Sequence, residues 1–198
     1  MSFKDFFILT MQETWKLFIT PWTNSEILWV ILPLVLILIL IHIYFGRYRN
    51  EELGWNSAFG NAISLLWICV ILFRFLFHKY NYHELTTNII FLKSFAITSI
   101  MTLWVISLLA FNFLHKLPKQ FAYLISSADS VYILAYIAIS MVMGEINITN
   151  WTFAGAIVLF IFLHLLLEVI RYLTPMSTGS KISKSKKKNG KKKKPNSK

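Results

Sequence analysis

The chain has one cysteine in 198 residues, Cys69, set inside an apolar run. A lone thiol excludes an internal disulfide and any cysteine-paired metal cluster; its plain reading is a small buried apolar side chain. Only seven glycines and five prolines are present, and no Gly-rich phosphate loop or internal repeat occurs. Charge is scarce at 15% of residues, where a soluble domain is nearer a quarter. Acid is scarcest, with nine Asp+Glu against twenty Lys+Arg. A cleavable signal peptide is not expected at the start. Residues 1–20 mix Lys4, Asp5, Glu13 and Lys16 with aromatics, and no basic stretch precedes a short apolar core.

What is abundant is apolar. Hydrophobic residues make up 56% of the chain and come in blocks near the ~20 residues that carry a helix across ~30 Å of hydrocarbon. The expected fold class is all-α, an integral membrane helical bundle of five transmembrane helices plus an N-terminal amphipathic helix. The expected division is residues 1–22 for that helix, 23–173 for the bundle and 174–198 for a tail. Spans are expected at about 26–45, 57–77, 89–114, 121–143 and 151–173. In the first helix Phe3, Phe7, Met11, Trp15 and Phe18 share one face, and Asp5, Gln12, Glu13, Lys16 and Thr20 the other. Such a helix packs on the bundle or lies in the interface plane. Pro21-Trp22 is expected to end it, with N-cap candidates at Thr23 to Glu26. Pro33 is expected to kink span one. In span two, Asn56, Gly60 and Ser64 recur every four residues, a small-residue face that lets a neighbouring helix approach.

The net charge of +11 is local. Ten lysines and no acid lie in 174–198, leaving ten basic against nine acidic residues in the other 173. Lys and Arg concentrate in cytoplasmic loops. Five spans put Arg47 with Arg49, Lys116 with Lys119, and the tail on one side, so the C-terminus is expected in the cytoplasm and the N-terminus outside. Arg74 and Lys93 run against that count. The sequons at Asn147 and Asn150 lie so close to the expected membrane that they read as chance matches.

Ionisable residues inside a span are costly and usually face the bundle interior. Counting ~1.5 Å per residue, Asp129 lies about 12 Å from the inner end of span four, and His164 about 13 Å from that of span five. Their depths match and a short connector joins the two spans, so they are expected to be neighbours. Glu168 lies one turn below His164, with Arg171 three residues on. His42, Asn61 and Ser64 fall in the same half, and Ser126 and Ser130 flank Asp129. One reading of this cluster is structural: Asp129 bonds His164 and holds two helices in register at about 1 kcal/mol, while Glu168 pairs with Arg171 at the interface. The other is a cytoplasm-facing polar cavity for a small ligand, proton or metal ion. Neither a cofactor nor a metal is assigned, because one His–Glu pair at i, i+4 is a weak metal signal.

Glu51-Glu52-Leu53-Gly54-Trp55 resembles the opening of the paired-glutamate motif of the CAAX-protease/bacteriocin-processing membrane protease family. Phe111 with His115 and Phe160 with His164 resemble that family's Phe-three-residues-His motif. The resemblance implies an intramembrane peptidase, but it covers a handful of residues. Asn56 stands where the family has arginine, and its closing His-to-Asn motif is matched only loosely by His164 and Glu168. The assignment is therefore not adopted. Glu51 and Glu52 also suit the first turn of a helix, where carboxylates favour the dipole.

The tail carries Lys186, Lys187 and Lys188, then Lys191, Lys192, Lys193 and Lys194. Such a cluster gains roughly 1 kcal/mol per Lys near an anionic leaflet and equally attracts RNA or a ribosome without sequence preference. No aromatic side chains interleave with the lysines, so base stacking is not expected. The composition should leave the tail disordered. The sequence alone thus favours a non-enzymatic membrane factor or complex subunit that tethers an anionic partner. The alternative is a transporter-like protein or intramembrane enzyme built on Asp129 and His164. Deletion of 181–198 is expected to abolish salt-sensitive recovery of anionic lipid or RNA in a pull-down. Unchanged recovery would rule tethering out.

Overall fold

The computed structural model describes residues 3–48, 54–80, 86–116 and 118–175, and the regular structure among them is all helical. The elements are α1 (Phe3–Thr23), α2 (Ser25–Arg47), α3 (Trp55–Lys79), α4 (Ile89–Phe113), α5 (Lys119–Ile125), α6 (Ala128–Met143) and α7 (Asn150–Leu173). Short polar side chains set their starts. Asn24 accepts from the amides of Glu26 and Ile27, and Asn88 from those of Ile90 and Phe91. Thr149 and Thr152 form a reciprocal capping box at α7. Each cap satisfies amides that the first helical turn leaves without a partner.

Five segments are long and apolar enough to cross a membrane: α2, α3, α4, α7 and the Gln120–Met143 stretch. Their bounds fall within about two residues of expectation. Span four is the exception, for it is two helices, α5 and α6, broken at Ser126–Ser127. Hydroxyls within the long helices mostly bond back one turn: Thr98 to Ser94 O, Thr102 to Thr98 O, Ser107 to Leu103 O and Ser140 to Tyr136 O. This internal bonding lets apolar helices carry Ser and Thr without exposing a polar group.

The long helices alternate in direction. One end of the bundle, called the tail end here, gathers the C-termini of α2, α4 and α7 and the starts of α3 and α5. Trp55 meets His115 and Tyr123 there. At the opposite end Lys79 pairs with Glu145, and Lys93 donates to Ile148 O at 2.8 Å. The most enclosed span is α5–α6, with 67% of its apolar stretch buried against 17–33% for the other four. Val131, Ile133, Ala135, Ile139 and Val142 of α6 sit at the centre of the core, and α1, α2, α3, α4 and α7 all pack on α6. A Cβ on Gly46 would meet Thr174 Cβ at 2.6 Å and Arg171 O at 2.9 Å. That glycine lets the end of α2 close against the end of α7.

One expected face is corrected, that of α3. In α1, for which the sequence leaves open both docking on the bundle and lying in the interface plane, Phe7, Met11 and Trp15 of the aromatic face are exposed while Phe18 packs on the core. The face packed inward carries Thr10, Thr14, Leu17 and Pro21. Tyr136 Oη donates to Phe18 O at 2.6 Å and accepts from Trp22 Nε1 at 3.0 Å, and Thr152 donates to Glu13 at 2.9 Å. Polar anchors thus choose the docking face, not the apolar stripe. Helix α1 ends at Thr23, one residue past the expected Pro21-Trp22 stop. In α3 the packed small residues are Ala58 and Ala62, continuing through Leu65 and Cys69. Asn56 and Gly60 lie on the outer side, and a Cβ on Gly60 would meet nothing within 4 Å. The helix α2 continues through Pro33. Glu51, Glu52 and the lysines from Lys186 to Lys194 lie outside the described residues.

At Gly155 a Cβ would come within 2.9 Å of Thr14 N and 3.1 Å of Glu13, so α1 crosses α7 in near backbone contact. Gly155→Val is expected to lower stability by ~1–3 kcal/mol, read as a lower melting temperature in detergent. Gly60→Val, over open space, should leave it unchanged.

Candidate functional site

The site is built on the break in span four. Helix α5 stops at Ile125 and α6 restarts at Ala128. Local sequence supplies the cap for the restart. Ser127 takes extended geometry and its hydroxyl accepts from Ser130 N at 3.2 Å, an N-cap. A break leaves carbonyls without helical partners, and side chains supply them. Asn61 Nδ2 donates to Ser126 O at 2.9 Å, and Ser130 Oγ donates to Leu124 O at 3.0 Å. Asn112 Nδ2 donates to Ser126 Oγ at 2.9 Å. Asn61 of α3 and Asn112 of α4 therefore hold the interruption from two other helices.

Restarting the helix puts Asp129 in the first turn of α6, facing α2 and α7. Its Oδ1 lies 3.1 Å from His42 Nε2, and its Oδ2 lies 3.7 Å from His164 Nδ1. His42 is almost fully buried, and its Nδ1 lies 2.8 Å from Leu38 O. A carbonyl only accepts, so this Nδ1 carries a proton. The Nε2–Oδ1 contact then needs a second proton between ring and carboxylate. The pair is an imidazolium with a carboxylate, or a neutral imidazole with a carboxylic acid, and a proton shift interconverts them. His164 Nδ1 is buried without a hydrogen-bond partner among the described residues, since 3.7 Å to Asp129 exceeds bonding range.

Beside Asp129 lies a cavity of about 170 Å³ lined by His42, Phe45, Tyr123, Ser127, Asp129 and Arg171, among others. That volume holds a few waters or a small ion with its waters. Glu168 is exposed on α7 and meets Arg171 Nη1 at 3.4 Å. Ligand atoms of Asp129, His164 and Glu168 lie within 4.8 Å of one another.

The expected neighbourhood of Asp129 and His164 is thus present, but the shorter contact of Asp129 is to His42. Ser126, Ser130 and Asn61 belong to the break rather than to the ionisable group. Asn112 and Tyr123 were not anticipated. Asn112 was legible as a lone amide near the end of an apolar run, at the depth of Ser126, whereas Tyr123 required the break to be known. Of the peptidase-like residues, His115 lies past the end of α4 at φ 51°, against Trp55. Comparison of the chain with family models, curated proteins and solved structures finds no match.

Asn61→Ala removes the side-chain donor to a backbone carbonyl at the break. It is expected to cost ~1–3 kcal/mol, measured by thermal unfolding in detergent. Ser64→Ala deletes only a bond to its own helix at Gly60 O and should change stability by less than ~0.5 kcal/mol.

Proposed function

We propose that the chain is a five-span membrane protein, transporter-like in kind, whose broken fourth span presents a cytoplasm-facing site for a proton or small cation. The membrane part is supported by the exterior of the helices. Trp29, Trp67, Ile100, Leu103, Ile157 and Leu165 are all exposed on helical flanks. Apolar surface on that scale exceeds what soluble monomers show and suits lipid. The cytoplasmic orientation is supported by Arg47 and Lys116, which lie at one end, and by the ten lysines that follow α7 in the sequence. At the other end Lys79 and Lys93 are engaged by Glu145, Ile148 and Asn147, while Arg74 counts against the assignment.

The observation that carries the function is Asp129 held between His42 and His164 at a helix break. Irregular backbone at membrane depth is tolerated only where protein buries it or it lines a cavity. Transporters place ion sites at such discontinuous helices, and intramembrane Asp and His mark proton relays. The His42–Asp129 pair holds a transferable proton, and the cavity at Asp129 gives it a route to solvent.

A second reading rests on the ten lysines beyond residue 174. As a tether for anionic lipid or RNA, the tail would act from the same end as the site, and the two readings are compatible. In proteoliposomes with an imposed pH gradient, the wild type is expected to dissipate the gradient. Asp129→Asn should slow this at least ~100-fold, the ordinary scale for loss of a proton-transfer group, while still inserting and folding. Equal flux with lowered stability would make the cluster structural.

A further inference from the structure

We infer that Asp129, His164 and Glu168 form a binding site for a divalent first-row transition cation. The inference rests on the reading of this cluster as a cytoplasm-facing cation site and names the ion it takes.

The donor set comes from two helices. His164 and Glu168 stand one turn apart on α7, and Asp129 enters from the first turn of α6. Their ligand atoms lie within 4.8 Å of one another. Ligands ~2.1 Å from a metal sit ~3.4 Å apart at tetrahedral angles and ~4.2 Å apart when opposed. Asp129 Oδ2 and His164 Nδ1, at 3.7 Å, already fall in that range. That spacing is too long for a hydrogen bond and suits two atoms sharing one ion. Glu168 is exposed and ends a flexible side chain, so a small torsion closes the third side.

Two further observations point to a ligand. The His164 Nδ1 is buried and unpartnered among the described residues, a cost that coordination removes. The other Asp129 oxygen is held by His42, itself fixed by Leu38 O. Metal-binding carboxylates are oriented by such outer hydrogen bonds, and here the bond leaves Oδ2 aimed at His164.

Chemistry sets the class of ion. Two carboxylates neutralise a dication, which a low-dielectric site requires. One imidazole with two carboxylates and no sulfur favours Zn²⁺, Mn²⁺, Fe²⁺ or Co²⁺ over Cu⁺ and, through the nitrogen, over Mg²⁺ and Ca²⁺. Arg171, bonded to Glu168 at 3.4 Å, and His42 when protonated are the positive groups facing the site. Cation entry exchanges the Arg171 pairing of Glu168 for coordination.

The test uses the full chain without a histidine tag, in phosphatidylcholine nanodiscs, stripped with EDTA and dialysed against Zn²⁺ or Mn²⁺. The expected result is one ion per chain by atomic emission. His164→Ala and Glu168→Gln should each weaken binding at least ~10-fold, and His78→Ala should leave it unchanged. The Glu168 side chain is about half exposed, so its isosteric variant keeps the fold. Absence of stoichiometric binding by the wild type, or binding unchanged in Glu168→Gln, overturns the site. If the wild type binds no ion while proton flux persists and still needs Asp129, the metal site is overturned and the proton reading stands.

Discussion

Every backbone amide and carbonyl withdrawn from water must find a partner, and that constraint is felt most at Ser126–Ser127. Elsewhere the long helices satisfy themselves one turn at a time. At the break they do not, and the deficit is met from three helices: Asn61 of α3, Ser130 of α6 and, through the Ser126 hydroxyl, Asn112 of α4. Those bonds tie α5–α6 into the middle of the bundle. They also account for the burial of α6, which is packed on several sides while the other long helices keep broad apolar flanks exposed.

The site follows from the break. A continuous helix through 126–127 would carry Asp129 on the same cylinder as α5. The Ser127 cap instead starts a new first turn and aims the carboxylate between His42 and His164. The arrangement needs the close approach of α2 to α7 that Gly46 allows. His42 supplies the rigid side, through its bond to Leu38 O, and His164 the adaptable side, partly exposed on α7. His42 and His164 face opposite oxygens of the Asp129 carboxylate, so the proposed proton and ion roles would be coupled through one group.

Packing in this molecule is organised by polar anchors inside an apolar exterior. The docking of α1 shows it: Thr14 donates to Gly155 O and Glu13 accepts from Thr152, while Phe7 and Trp15 turn out. The amphipathic pattern alone leaves open whether the aromatic stripe faces the bundle or the lipid. The same holds for α3, where the Ala58–Ala62 edge packs and the Gly60 edge does not. In both, every face of the helix is tolerable to its surroundings, so local pattern does not select one. For α1, the hydrogen bond from Tyr136 and the backbone approach at Gly155 select it instead.

Much was legible in the residues alone. Run length and composition determined the helical class, the five long apolar segments and their ends to within about two residues, because a hydrogen-bonded helix is the only local answer to such runs. Depth counting from helix ends brought Asp129 to His164, since rise per residue is nearly constant. Ser126-Ser127-Ala128-Asp129-Ser130 even carries the composition of a helix start, although inside an apolar run it reads equally well as back-bonded hydroxyls. Tertiary structure alone decided that the helix breaks there, that His42 is the nearer partner of Asp129, and which face of α1 is inside. Each of those depends on a donor or carbonyl brought from a distant helix, and no local stretch of sequence records where such a partner will be.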